Sequence, residues 1–132
     1  MLDKSCHPWH IPCMAWEVEY TDSFFGWWDG LSAEEQLDVK AVVDVLAEKG
    51  PGLRRPRVGP IVTSRHANMK ELIIQHAGRP YRVLFAFDPR RTAILLIGGD
   101  KTGNDHWYDE FVPVADRFYD EHIIQLKKEG KI

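Results

Sequence analysis

Residues 69–99, MKELIIQHAGRPYRVLFAFDPRRTAILLIGG, decide the fold. Three runs rich in aliphatic and aromatic residues, 69–77, 81–87 and 92–99, are separated by the turn formers Gly78-Arg79-Pro80 and Asp88-Pro89-Arg90-Arg91. Connections this short join antiparallel neighbours, so the segment reads as a three-stranded meander. Alternation along the strands then assigns faces. Tyr81, Val83, Phe85 and Phe87 share one apolar face with Leu72, Ile74 and His76, and that face should meet helices. Arg82, Leu84 and Ala86 point the other way, beside Glu71, Ile73 and Gln75. This second face is expected to stay open, and shallow over the small Ala86. A mid-strand guanidinium beside a carboxylate suits a phosphate, although a cross-strand ion pair on a solvated face is the commoner reason for such a pair.

Upstream of the meander, Trp16, Val18 and Tyr20 alternate with Glu17 and Glu19, the pattern of a half-buried strand, and ordered structure should begin at Met14. Thr21 or Asp22 can cap a short helix carrying Phe24, Phe25, Trp27, Trp28 and Leu31. Ser32 with Glu35 three residues later forms a capping box for a second helix, which Gly50-Pro51 stops. Its expected buried stripe is Leu37, Ala41, Val42, Val45 and Leu46, and the two helices should form an antiparallel pair. Residues 51–68 read as irregular, with Arg54, Arg55, Arg57 and Arg65 among prolines and glycines. Downstream, Trp107, Phe111, Val114 and Phe118 keep helical spacing, with a break or kink expected at Pro113. The order β-α-α-β-β-β-α predicts an α+β domain: a four-stranded, mostly antiparallel sheet with helices largely on one face.

The chain has 132 residues, 44% apolar and 28% charged, which suits one domain able to bury a core without a disulfide or metal staple. Disorder, collagen and coiled coil are excluded by that composition, and no apolar run approaches the about 20 residues a bilayer span needs. The net charge of −3 argues against a nucleic-acid partner, but it is an average. Residues 1–50 hold 3 Lys/Arg against 10 Asp/Glu, residues 51–103 hold 10 against 3, and residues 104–132 hold 4 against 7. A basic middle block between acidic flanks keeps a polyanion in play.

Cys6, His7, His10 and Cys13 offer four ligands in eight residues, but structural zinc sites space their ligand pairs differently, and no metal or other cofactor is expected. Residues 1–13 are expected to be a flexible extension ahead of a single domain over 14–132. The polar, proline-interrupted start has no secretory h-region, so the cytoplasm with reduced thiols is the expected compartment. Gly98-Gly99-Asp100-Lys101-Thr102-Gly103 lacks the spacing of a nucleotide-binding P-loop, yet a strand ending in two glycines beside a lysine can present backbone N–H groups to an anion.

Three blocks, Arg65-His66-Ala67-Asn68-Met69-Lys70-Glu71-Leu72, Gly78 through Arg91, and Ile97 through Gly103, resemble the RelE/HigB-like toxins of bacterial type II toxin–antitoxin modules, with the phage-derived Gp49-like branch nearest. The similarity runs from about Met14 to about Leu126. It implies a RelE-like fold and a small toxin that cleaves mRNA on the translating ribosome until a cognate antitoxin, of helix-turn-helix type, neutralises it. Such cleavage uses the ribose 2′-OH as nucleophile and needs a proton acceptor, cations for the phosphorane and an acid for the leaving oxygen. The resemblance makes Arg82 the phosphate clamp, Lys101 a second charge stabiliser, and Glu71 a base or an orienter of Arg82. His66 is a further catalytic candidate. Arg65, Lys70, Arg79, Arg90, Arg91, His106 and Tyr108 are candidates for RNA contact, with proton transfer also open to His66, Lys70, His106 and Tyr108. Trp107 is expected to pack in the core rather than stack a base.

One position departs from the family pattern. Ile73 stands where relatives commonly carry arginine, on the face of Glu71 and Arg82. The expected consequence is either a weakened toxin or a cation supplied by Arg79, Arg65 or Lys70. Two further functions therefore stay open: a non-enzymatic gyrase inhibitor of the ParE type, and a disabled toxin kept as antitoxin partner and co-repressor.

Overall fold

A computed structural model describes residues 16–132. The flexible extension expected over residues 1–13, the order expected from Met14 and the Cys6–Cys13 cluster lie outside the described residues. Strand β1 (Val18–Tyr20) leads into helices α1 (Asp22–Asp29) and α2 (Ala33–Lys49). Strands β2 (Val58–Pro60), β3 (Lys70–His76), β4 (Arg79–Phe87) and β5 (Ala93–Asp100) follow, and helix α3 (Trp107–Lys128) comes last. The sheet order is β1-β5-β4-β3-β2, with β1 parallel to β5 and every other pair antiparallel. The α+β class and the helix order are as the sequence predicts.

The sheet has five strands rather than the expected four, because the 51–68 stretch contributes β2. Val58 is buried opposite Leu72, which draws the segment onto the sheet, and Pro60 ends a strand whose outer edge needs no donor. The β3–β4 turn is tighter than Gly78-Arg79-Pro80. His76 pairs with Arg79, leaving Ala77 and Gly78 at the tip with positive φ of 49° and 77°, as a two-residue primed turn requires.

Both helix starts are capped as read. The Thr21 side chain accepts from the Phe24 amide at 3.0 Å, and Ser32 and Glu35 form the reciprocal box. The buried stripe of α2 is Val39, Val42, Val43, Leu46 and Ala47, so the helix is rotated from the expected stripe, and Leu37 is 66% exposed. These residues meet Leu72, Ile74, Tyr81, Val83 and Phe85 on the face that parity assigned to helices.

The opposite face is not open. Helix α3 covers it, burying Trp107, Val112, Ala115 and Tyr119 against Leu84, Ala86, Ile94 and Leu96. The side-chain assignment by parity is right, but Ala86 receives a helix instead of leaving a shallow surface. Helix α3 also runs unbroken through Pro113, which sits on its exposed side. The missing N–H costs one intrahelical bond, while Val112 and Ala115 on either side hold the helix to the sheet. Among the described residues no helix is long and apolar enough to cross a membrane.

Candidate active site

The first turn of α3 crosses the ends of β4 and β5, and a pair of glycines lets it do so. Gly98 faces α1, where a Cβ would collide with the Trp27 indole. Gly99 faces α3, where a Cβ would stand 2.8 Å from Trp107 Nε1. The glycines expected to frame an anion loop are thus flattened for two tryptophans, one on each side of the sheet. Trp107 is 2% exposed and packs in the core, as expected. Its neighbour Tyr108 is carried over the β3–β4 ladder.

Gly99 pairs with Arg82, which pairs with Ile73, and Glu71 lies one residue along the same face of β3. Glu71 Oε1 accepts from the Tyr108 hydroxyl at 2.6 Å and lies 3.1 Å from Arg82 Nε. The Arg82–Glu71 approach is an ion contact and not a directed hydrogen bond, since the buried Nε–H finds no aligned acceptor. Arg82 Nη1 donates to the Tyr81 carbonyl at 2.9 Å. No hydrogen bond among the described residues falls on Glu71 Oε2. Lys101, in the β5–α3 loop, holds its Nζ 5.7 Å from the centre of the Tyr108 ring. Burial pushes the Tyr108 hydroxyl above its ordinary value, the Glu71 hydrogen bond adds to the rise, and Arg82 opposes it. At neutral pH Tyr108 is therefore a neutral phenol that donates to a carboxylate.

Four expected residues, Glu71, Arg82, Lys101 and Tyr108, thus converge. Chemically the group offers a carboxylate oxygen free to take a proton, a phenol able to give one, and two cations. His106 lies beside it, exposed at the start of α3, with Nδ1 3.5 Å from Asp109.

The remaining candidates are elsewhere. His66 Nε2 meets Asp120 at 2.7 Å and its ring packs on Tyr119. Asp120 lies twelve residues beyond Tyr108, about 18 Å along a helix, so His66 sits toward the other end of α3. Arg65 pairs with the same Asp120. Lys70 lies on the α2 side of the sheet, with Nζ 6.0 Å from the Phe87 ring centre. Arg79 reaches Asp100 at 3.4 Å and Glu35 at 3.5 Å. None of the three cations expected to compensate for Ile73 stands beside Arg82. Arg90 is bound by the buried Asp88 at 2.7 Å and by Glu19 at 3.0 Å, and Arg91 lies over Trp16. Of the expected RNA-contact arginines, Arg90 is held in a part-buried ion-pair network, while Arg65, Arg79 and Arg91 make exposed contacts.

Sequence reasoning named Tyr108 as a candidate for RNA contact or proton transfer without placing it beside Glu71 and Arg82. The available signal was the order strand, glycine pair, lysine, then an aromatic pair opening a helix. Trp107 packs on Gly99, and its neighbour Tyr108 is then turned toward Glu71 and Arg82.

A family model described as "Phage derived protein Gp49-like (DUF891)" matches residues 26–120. Two proteins of Mycobacterium tuberculosis (strain ATCC 25618 / H37Rv) are similar to the chain. One, named "Putative toxin HigB2", is 46% identical over 103 residues, covering 76% of this chain and 51% of that protein. The other, named "Putative toxin HigB3", is 47% identical over 92 residues, covering 69% of this chain and 79% of that protein. The chain therefore spans about half the length of the first relative.

Proposed function

The chain belongs to the phage-derived Gp49-like family, and from that premise we propose that it is the toxin of a toxin–antitoxin pair, an endoribonuclease that cuts mRNA on the translating ribosome and is neutralised by a cognate antitoxin. The observation that carries the nuclease reading is Glu71 Oε1 held between Tyr108 and Arg82, with Oε2 left free for a proton. In this reading the ribose 2′-oxygen forms a bond to the adjacent phosphorus, and its proton passes to Glu71. The P–O5′ bond breaks, and the 5′-oxygen takes its proton from Tyr108. Glu71 Oε2 then gives its proton to solvent and the Tyr108 phenolate takes one from solvent, which restores the 2.6 Å hydrogen bond to Oε1 and resets the pair. Arg82 and Lys101 offset the charge of the phosphorane, where preorganised cations are worth most. The products are a 2′,3′-cyclic phosphate and a 5′-hydroxyl.

The test is expression in growing cells with mapping of mRNA ends. The wild-type chain should arrest growth and leave cuts within translated codons. Arg82→Ala should abolish both in a protein that still folds, at a lower unfolding temperature because the buried Glu71 loses its partner. Cutting that persists in a folded Arg82→Ala protein would remove Arg82 from the site. DNA damage signalling without RNA cuts would favour gyrase inhibition, and absence of any growth effect would favour a disabled toxin.

A further inference from the structure

The Glu71–Arg82 contact leaves the site short of positive charge. One guanidinium is offset by a carboxylate 3.1 Å away, and the next residue on that face of β3 is the apolar Ile73. Positive charge arrives from the opposite edge of the sheet. Val58 pairs with Leu72 and Gly59 with Glu71, and the Ile73 amide donates to the Arg57 carbonyl at 2.8 Å, so the ladder extends by one pair to Arg57 opposite Ile73. Val58 packs with Leu72 on the α2 side, which puts Arg57 and Gly59 on the side of Glu71 and Arg82. One lateral row therefore reads Arg57, Ile73, Arg82, Gly99. At about 5 Å per strand, Arg57 and Arg82 stand roughly 10 Å apart at the backbone, flanking the isoleucine.

A second observation agrees. A Cβ on Gly59 would stand 2.9 Å from Arg55 Nη2, so the Arg55 guanidinium lies across this same face, over the residue paired with Glu71. Arg55 and Arg57 are both exposed, and among the described residues neither forms an ion pair, unlike Arg65, Arg79 and Arg90. The sequence placed these two arginines only in an irregular stretch, because their register depends on a three-residue strand that ends in proline.

We propose that Arg57 is a phosphate-binding residue of the site, supplying from β2 the cation that Ile73 does not supply from β3, with Arg55 extending the path of the RNA backbone along the sheet edge. The inference rests on the nuclease reading for its catalytic consequence, while the phosphate contact is measurable without cleavage. Arg57 acts on substrate that Glu71, Arg82 and Tyr108 then process. A phosphate between Arg57 and Arg82 would lie over the Ile73 side chain, an apolar floor that adds no competing acceptor of its own.

The experiment pairs two probes: a short mRNA on programmed ribosomes for cleavage, and an all-2′-deoxy single strand of the same sequence for binding as a function of salt. Arg57→Ala should weaken binding of the deoxy probe about tenfold and reduce the slope of log K against log salt by about 0.7, the value for one phosphate contact on a single strand. It should slow RNA cleavage at least as much, with an unchanged unfolding temperature. Arg57→Lys should keep most of the binding. Adding Ile73→Arg to Arg57→Ala should restore cleavage, because it returns a cation to the same row. Lys49→Ala, which removes an exposed charge from the end of α2, should change neither readout. Wild-type binding and slope in Arg57→Ala would overturn the proposal, and would leave the nuclease reading standing if Arg82→Ala still abolished cleavage. Salt-dependent binding that needs Arg57, in a wild-type protein that cuts nothing, would instead overturn the nuclease reading and keep the phosphate contact. A wild-type protein that cuts ribosome-bound mRNA but does not bind the probe at low salt would overturn the Arg57 contact and leave the nuclease reading standing.

Discussion

At neutral pH the Tyr108 hydroxyl donates to Glu71, and in the proposed mechanism it donates to the leaving oxygen of a bound RNA. Its raised pKa matters because a tyrosinate could neither hold Glu71 nor give up a proton. Tyr108→Phe removes that proton and leaves the ring under Lys101. It should lower kcat by roughly 10²-fold to 10³-fold with little change in KM, since general-acid contributions fall in that range. Single-turnover cleavage at saturating enzyme measures the effect, and a variant that cuts at the wild-type rate would take Tyr108 out of the chemistry. A second residue-scale expectation concerns Arg90. It and His122 hydrogen-bond the buried Asp88; burial alone would raise that carboxyl, and these partners together hold it below the ordinary value. Arg90→Ala strips one partner from a buried charge and should destabilise the protein by about 3 kcal/mol, measured by urea unfolding. It should leave RNA binding by the folded protein nearly unchanged, which separates Arg90 from the arginines that meet substrate.

Among the elements, the β5–α3 junction links packing to chemistry. Gly98→Ala pushes against Trp27 and should cost about 1–3 kcal/mol, as overpacking does, without altering the site. Gly99→Ala pushes against Trp107 and so displaces the first turn of α3, which carries Tyr108. Cleavage should therefore fall more than stability does, and a scan of unfolding temperature beside the cleavage rate distinguishes the two. At the other end of the apolar face, the capping box of α2 is tied to β4 through Tyr81. The Glu35 carboxyl is drawn down to about 2, chiefly by the Tyr81 hydroxyl and the Ser32 amide, and Tyr81 is pushed up to about 12 by burial and by Glu35. A lowered carboxyl stabilises the fold above its free value of 4.5, and that contribution is lost as pH falls toward 2. A raised phenol stabilises below its free value of 10.0, and that contribution is lost as pH climbs toward 12. Tyr81→Phe should shrink the difference in unfolding free energy between pH 7 and acid, because Glu35 then titrates closer to its ordinary range.

These elements also show what the sequence could and could not disclose. Period-two alternation named the two faces of β3 and β4, and capping chemistry marked both helix starts, because each is a local property of a few neighbouring residues. Coverage of the second face by α3 was not local. Trp107, Val112, Ala115 and Tyr119 form a helical stripe that could have packed on either side of the sheet, and only the chain path past Gly99 decides. The pairing of Arg65 and His66 with Asp120 spans more than fifty residues and left no mark in either segment.

Across the whole molecule, the net charge of −3 averages two populations of arginine. Arg65, Arg79 and Arg90 are matched by carboxylates from α2, α3, β1 and the strand ends, while Arg55 and Arg57 carry no such partner among the described residues. Local charge, not the total, is what a polyanion meets, so affinity for RNA should fall steeply with salt even though the chain is acidic overall. The central claim is that Glu71, Arg82 and Tyr108 direct a ribose 2′-oxygen onto its own phosphate. The most direct measurement is cleavage of a synthetic mRNA on programmed ribosomes, with and without a single 2′-deoxy substitution at a mapped cut site. The substituted position should be bound but not cut, while unsubstituted sites should yield 2′,3′-cyclic phosphate and 5′-hydroxyl ends. Cutting at the deoxy position at the unsubstituted rate would contradict that claim.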